Sequence, residues 1–85
     1  MMDMRADEVG AADLGKRIRF TTVNGALVED ELLVLHAERV GGKPVVLFGV
    51  KHVRPGAIDL CFEKREYGYL FPVYGPTRVE LTDEP

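Results

Sequence analysis

The chain has few of the residues that catalysis, metal binding or covalent cross-linking require. Its 85 residues include one cysteine, Cys61, so a disulfide within one chain is excluded. The two histidines, His36 and His52, have no cysteine, aspartate or second histidine at a metal-ligand spacing. Serine is absent, and no histidine or aspartate stands where it would activate a threonine or Cys61. We therefore expect no metal, no cofactor and no enzymatic activity.

Long apolar runs are also missing. No segment approaches the roughly 20 apolar residues that cross a bilayer as a helix. The first residues lack the basic-then-apolar profile of a secretory signal, so the expected location is the cytoplasm. A domain of this size has a modest core, which is often supplemented by disulfides, a metal or oligomerisation. With the first two excluded, self-association is the expected supplement.

The formal net charge of −3 conceals an uneven distribution along the chain. Residues 1–13 and 79–85 together carry one base against seven acids, whereas residues 14–78 carry ten bases against seven acids. A positive middle segment attracts polyanions when its charges cluster on one surface. The alternative interpretation is an ordinary solvated surface.

The clearest structural signal lies between Leu14 and Leu35. Residues 7–14 have the composition of a short helix that ends at Gly15. Apolar and polar side chains then alternate over residues 17–22, which predicts a half-buried strand. Asn24-Gly25 favours a tight hairpin turn, so a second strand should follow at once.

Residues 26–40 allow two interpretations. The segment has a helix-forming composition, with acids near its start and Gly41-Gly42 behind it. Leu32 to Leu35 are apolar on all sides, however, which suits a strand, and the upstream hairpin turn requires a strand partner. We predict a strand, and keep the helix as the alternative.

The remaining pattern is that of further short strands. Pro44 begins a strand over residues 45–50, residues 54–56 form a turn, and apolar residues alternate over 58–62. The charged run 63–66 reverses the chain into a strand over 67–74, and Val79 and Leu81 mark a last strand. We predict one all-β domain over residues 1–85: a small, strongly bent, five-stranded antiparallel barrel behind a short N-terminal helix, with frayed tails at 1–6 and 82–85.

Residues 14–20, read as LGKRIRF, together with Asn24-Gly25, resemble the opening of the Sm-like family of small barrels. Those proteins begin with a short helix, a strand reading Gly-Lys-Arg-apolar-x-apolar, an Asp-Gly or Asn-Gly turn and a longer second strand. The resemblance implies a non-enzymatic ring-shaped homo-oligomer that binds single-stranded RNA. In such a ring the fourth strand of one subunit pairs with the fifth strand of the next, which also protects open sheet edges.

The chain departs from the family pattern at several positions. Asp30 stands where the second strand of the family usually has a bend-permitting glycine. The second family motif, an Arg-Gly before an apolar strand, is echoed only by Tyr74-Gly75 and the residues that follow. His36 and Val40 fall where the family has the Asp and Asn of its base pocket, so the hydrogen bonding of that pocket is not preserved.

A nucleic-acid site needs cations for phosphates and flat rings for stacking. The best local candidate is the basic segment 51–54, ahead of the turn at Pro55-Gly56, joined by residues of the last turn. Tyr69 and Phe71 have core spacing, whereas Tyr67 and Tyr74 lie at the strand ends and are open to stacking. The predicted nucleic-acid-binding residues are Lys51, His52, Arg54, Tyr74 and Arg78.

The competing hypothesis is a structural or protein-interaction module, such as a phage or accessory protein, that does not bind nucleic acid. It agrees with the missing pocket residues and with the net acidic charge. An enzyme is the least favoured class, because the three consecutive acids Glu29-Asp30-Glu31 would point to alternate sides of a strand.

Overall fold

The computed structural model of the protein describes residues 2–66 and 68–83. Within them, seven strands form one antiparallel sheet in the order β1-β7-β2-β3-β4-β6-β5. One short helix, α1 (Pro55–Ile58), follows β4. The strands are β1 (Met2–Arg5), β2 (Arg17–Thr21), β3 (Leu27–Val40), β4 (Lys43–Val50), β5 (Glu63–Arg65), β6 (Gly68–Tyr74) and β7 (Arg78–Thr82).

The all-β prediction is confirmed, but the five-stranded barrel is wrong. The sheet has seven strands and does not close, because one further strand pairs at each edge. Residues 2–5, for which fraying was expected, form β1 and pair with β7 from Met2↔Leu81 to Arg5↔Arg78. At the other edge, the charged run expected to be a turn forms β5, which pairs with the start of β6.

The short N-terminal helix is replaced by two 3-10 turns, Ala6–Glu8 and Ala11–Asp13. Gly10 lies between them with an extended backbone (φ −122°, ψ 177°), which interrupts a continuous helix. Two carboxylates stabilise the turns: the backbone N–H of Arg5 donates to Glu8 (2.8 Å), and that of Gly10 donates to Asp13 (2.9 Å).

The strand predicted over residues 26–40 is confirmed: β3 spans fourteen residues, and the helix alternative is excluded. Glycines with positive φ form the turns at both of its ends: Gly25 (φ 85°) after β2, and the pair Gly41 (58°) and Gly42 (80°) before β4. The strand predicted over residues 58–62 is wrong. Pro55 occupies the first helical position, where its missing N–H is not needed, and residues 55–58 become α1.

The sheet bends where β3 changes partner. Residues Leu27 to Glu31 pair with β2, and Leu32 to Val40 pair with β4. The register shifts between Leu32 and Val34, a bulge that increases the local bend and twist. The bend therefore occurs without a glycine at Asp30.

The bend brings three aromatic rings together in the core. The ring centroid of Phe20 lies 5.1 Å from that of Phe48 and 6.3 Å from that of Phe71, both tilted, as aromatic pairs prefer. Rows of buried aliphatic side chains surround the rings, among them Ile18, Val28, Leu32, Val46, Val50, Val73, Val79 and Leu81. No helix among the described residues is long and apolar enough to cross a membrane.

The outer edge of β6 is occupied along its length. The Leu70 carbonyl accepts from Phe62 N–H (2.7 Å), and the Pro72 carbonyl accepts from Val23 N–H at the β2–β3 turn (3.0 Å). Pro72 has no N–H to leave unpaired, which is why proline is tolerated at this edge. The fourth and fifth strands of the five-stranded pattern, which would pair between subunits in an Sm-like ring, correspond to β6 and β7. Because β1 likewise covers β7, both of these strands have partners within the chain.

Close packing between strands makes Gly49 a sensitive position. A Cβ there would lie 2.7 Å from Val34 Cβ and 2.9 Å from Leu70 Cδ2. We expect Gly49→Ala to lower the free energy of unfolding by about 1–3 kcal/mol through overpacking, as measured by urea denaturation. Gly10→Ala is the matched control, since its added Cβ meets no atom within 4 Å. Equal losses in the two variants would contradict this packing.

Candidate nucleic-acid interface

Three arginines converge on a polar groove formed by β2, β3 and the loop after β4. Arg17 and Arg19 lie on the solvent face of β2, with Glu29 of β3 opposite Arg19. The loop after β4 contributes His52 and Arg54 to the same groove, which has a volume of about 340 Å³. The groove therefore combines cations from two segments that are far apart in sequence.

Glu29 lies among these cations. Its Oε2 accepts from Arg17 Nε at 2.9 Å, and its Oε1 lies 3.9 Å from Arg19 Nε. The hydrogen bond from Arg17 and the nearby charges of Arg17, Arg19 and Arg54 hold the pKa of Glu29 below its usual range, against a smaller opposing effect of burial. Glu29 is thus ionised at neutral pH and offsets one of the three guanidinium charges.

The arginines remain accessible despite these ion pairs. The side chains of Arg17, Arg19 and Glu29 are 40%, 50% and 46% exposed. Arg19 Nη1 also lies 4.0 Å from the Glu80 carboxylate. Exposed pairs of this kind contribute little to stability, so an incoming anion can replace the carboxylates at small cost.

Asp30 fixes the loop that carries the other cations. Its Oδ2 accepts from the His52 backbone N–H at 2.6 Å and lies 3.3 Å from His52 Nδ1. Burial raises the pKa of Asp30, but hydrogen bonds from the backbone of His52 and Glu31 and from the His52 ring outweigh it, so the net shift is downward. Asp30 therefore holds the basic loop against β3.

A second, more apolar cleft adjoins the groove. It has a volume of about 870 Å³ and lies between the β3 bulge and the β5–β6 hairpin. Leu33, Val34 and Tyr69 form its apolar part, and His52 lines both the cleft and the groove. Charged side chains of both signs line the rest of the cleft: Asp30, Glu31, Lys51, Lys64, Arg65 and Glu66. The Lys64 ammonium lies 5.7 Å from the centre of the Tyr69 ring, so a cation stands beside an aromatic surface.

The structure brings three of the five predicted site residues together. Lys51 lines the cleft, Arg54 lines the groove and His52 lines both. Tyr74 and Arg78 lie elsewhere.

Tyr74 pairs with Val45, whereas the loop follows Val50, which pairs with Tyr69. Tyr74 and the start of the loop are therefore separated by five residues along the ladder, which corresponds to about 17 Å. Arg78 is close to Tyr74, because the intervening turn is closed by a hydrogen bond from Thr77 N–H to the Tyr74 carbonyl. The site residues predicted as one group therefore form two groups at opposite ends of the β4–β6 ladder.

Sequence reasoning assigned Arg17, Arg19 and Tyr69 to roles outside the site. The alternation over residues 17–22 places Arg17 and Arg19 on the solvent face of the strand. Two cations on one face were the signal in the sequence that could have indicated their role. Tyr69 was assigned to the core by its spacing, and it does pack against the core while also lining the cleft. Tyr67, the other stacking candidate, lies outside the described residues.

No family model, curated protein or solved structure matches this chain. Among residues 2–66 and 68–83, no group of three or more His, Cys, Asp or Glu side chains is arranged to hold a metal ion.

Removal of the Asp30 carboxylate tests its role in holding the loop. We expect Asp30→Ala to lower the free energy of unfolding at pH 7 by about 1.5–3 kcal/mol, because the buried carboxylate accepts charge-assisted hydrogen bonds. Since the pKa of Asp30 is lowered in the folded state, its contribution is complete above the ordinary value of 3.8 and is lost as pH falls through the lowered pKa.

The difference between wild type and Asp30→Ala should accordingly shrink as the medium is acidified from pH 5, as followed by denaturant unfolding at each pH. Asp59→Ala, at an exposed carboxylate, is the control. A pH-independent difference would show that the carboxylate charge has no part in holding the loop.

Proposed function

We propose that the protein is a non-enzymatic module that binds single-stranded RNA along the arginine groove and the adjoining apolar cleft. The observation that carries the proposal is the convergence of Arg17, Arg19 and Arg54 on a groove that joins, at His52, a cleft lined by Tyr69. Phosphates and bases are thereby offered adjacent surfaces of matching chemistry. We place this function in the cytoplasm, as the sequence predicts.

The groove supplies the phosphate contacts. Guanidinium groups bind phosphate oxygens with two parallel hydrogen bonds, a geometry that favours arginine over lysine. Glu29 already occupies two of these guanidinium groups in the free protein, at 2.9 and 3.9 Å. A phosphate would displace it, so Glu29 sets how strongly the polyanion is held.

The cleft supplies the base contacts. Tyr69 presents an aromatic ring beside Leu33 and Val34, in a space large enough for a nucleobase. A base in a duplex is already stacked and paired and does not enter such a cleft, whereas a base of a single strand does. This difference favours a single strand over a duplex as the ligand.

The proposed site belongs to one subunit and does not depend on a ring. A ring formed through the edges of β6 and β7 would require β1 to leave β7 and Val23 to release the Pro72 carbonyl.

The competing function is a protein-interaction module without nucleic-acid binding. A salt titration separates the two, because phosphate contacts weaken steeply as salt is added and an apolar protein interface does not. If RNA oligonucleotides show no salt-dependent association with the protein, the competing function is favoured.

The β2 arginines provide the most direct test. We expect the double variant Arg17→Ala, Arg19→Ala to bind a labelled oligouridylate at least about tenfold more weakly than wild type by fluorescence anisotropy. The slope of log affinity against log salt should fall by about 0.7 for each phosphate that the variant no longer neutralises. Arg39→Ala, Lys43→Ala removes the same charge at the β3–β4 turn, away from the groove, and is the matched control. Equal weakening by both variants would indicate a general charge effect and not a site.

The role of Glu29 gives a prediction of opposite sign. We expect Glu29→Gln to bind the same oligonucleotide about three- to tenfold more tightly than wild type, because the arginines lose their competing carboxylate and retain their donors. Asp7→Asn, at a carboxylate that pairs with Arg5 (2.8 Å) away from both the groove and the cleft, is the control. Unchanged or weaker binding by Glu29→Gln would place the phosphates elsewhere.

A further inference from the structure

We propose that the second half of β3 pairs edge to edge with the same segment of a second copy of the chain, making a two-fold symmetric dimer with a continuous sheet. This proposal is independent of RNA binding. It rests on the one long stretch of sheet edge that the described residues leave without a partner, and on the self-complementary sequence of that stretch.

The stretch arises because β3 is longer than either neighbour. On one side it pairs with β2 only over Leu27 to Glu31, and the Leu32 N–H and carbonyl bond to Lys16 and Gly15. On the other side it pairs with β4 over Leu32 to Val40. Beyond Leu32, the side of β3 that faced β2 has no backbone partner among the described residues.

Alternation along the strands identifies which backbone groups are unpaired. Gly75 N–H donates to the Pro44 carbonyl, so Pro44 and every second residue of β4 after it point toward β6. The other residues of β4 point toward β3 and bond to Val34, His36, Glu38 and Val40. The groups that point outward are therefore the N–H and carbonyl of three residues, Leu35, Ala37 and Arg39, here called the β3 edge.

The other open edges are shorter or more charged. The free side of β3 spans the eight strand residues from Leu33 to Val40. The outer side of β1 spans only four strand residues, and that of β5 only three, and the three of β5 are all charged. Short and charged edges resist pairing, whereas a long edge without proline invites it. Of these edges, the β3 edge has the backbone needed to take up a further strand.

The sequence of the segment is complementary to itself about Ala37. In an antiparallel pair centred there, Ala37 faces Ala37 of the second copy and Leu35 faces Arg39, which joins outward groups to outward groups. Two hydrogen bonds per pair give about six in all. His36 faces Glu38 of the second copy, and Val34 faces Val40.

The pairing of histidine with glutamate favours this register over the neighbouring registers. His36 and Glu38 of one chain already approach to 3.2 Å, and both side chains are about half exposed (54% and 47%). In the register centred on Ala37, each histidine faces a glutamate of the second copy across a non-hydrogen-bonded pair, where side chains lie closest. The two neighbouring registers that also join outward groups are centred on His36 and on Glu38. They place histidine against histidine and glutamate against glutamate.

A second copy of the chain is the favoured partner, because each strand then supplies the length and the order of side chains that the other strand requires. A peptide from another protein would have to supply a strand of the same length with charges in the same order. A small domain with a modest core also gains stability from association, which agrees with the self-association expected from composition.

The first test is the mass in solution by light scattering over a range of concentrations. We expect twice the 9.5 kDa chain mass for wild type at high concentration, and the single-chain mass for Ala37→Pro, which removes the N–H at the two-fold axis. Asp3→Pro places a proline on the outer edge of β1 and should leave the dimer intact. Circular dichroism and thermal unfolding report whether each variant folds.

A second pair of variants tests the register without proline. We expect Glu38→Lys to weaken dimerisation at least tenfold, since it removes the carboxylate acceptor opposite His36 and sets two donors against each other, and the double variant His36→Glu, Glu38→Lys to restore it. Hydrogen exchange at Leu35, Ala37 and Arg39 should slow as concentration rises. A wild-type monomer at all concentrations, a ring of five to eight copies, or an Ala37→Pro dimer of unchanged strength would overturn the proposal.

Discussion

The change of partner along β3 is the constraint on which the rest of the structure depends. One strand pairs first with β2 and then with β4, and a register shift between Leu32 and Val34 separates the two ladders. Without that bend, a seven-stranded sheet of this length would be open and flat, and its apolar face would have no opposing layer. With it, Phe20 of β2 reaches Phe48 and Phe71, which face each other on the adjacent strands β4 and β6, and a core forms from a single layer folded on itself.

The same bend determines how the edges of the sheet are used. The short strands β1 and β5 cover one side of β7 and part of β6, and Val23 at the β2–β3 turn bonds to the Pro72 carbonyl in between. The second half of β3 extends past β2 and, on that side, is left without a neighbour among the described residues. The edges of β6 and β7 are thus protected and that of β3 is not, which makes the direction of the proposed self-association a consequence of strand length.

The candidate interface depends on one buried carboxylate. Asp30 sits on β3 just before the bend and accepts the His52 N–H at 2.6 Å, which positions the loop between the arginine groove and the Tyr69 cleft. A glycine at this position would allow the strand to bend but would leave the loop without an anchor. A residue that departs from the Sm-like pattern is therefore the one that organises the proposed site.

The sequence by itself determined the local elements: β2, the turn at Gly25, the Gly41-Gly42 turn and the alternating strands β6 and β7, while it left residues 26–40 open between strand and helix. Each of these is set by side-chain periodicity or by a glycine with positive φ, which neighbouring residues alone encode. Only the tertiary structure decided the pairing of Met2–Arg5 with β7, the number of strands and the open form of the sheet, because hydrogen bonds between distant segments decide them. It also decided that His52 and Arg54 join Arg17 and Arg19, with Lys51 in the adjoining cleft, while Tyr74 and Arg78 lie at the other end of the ladder. Strand register fixes distances that spacing along the chain does not.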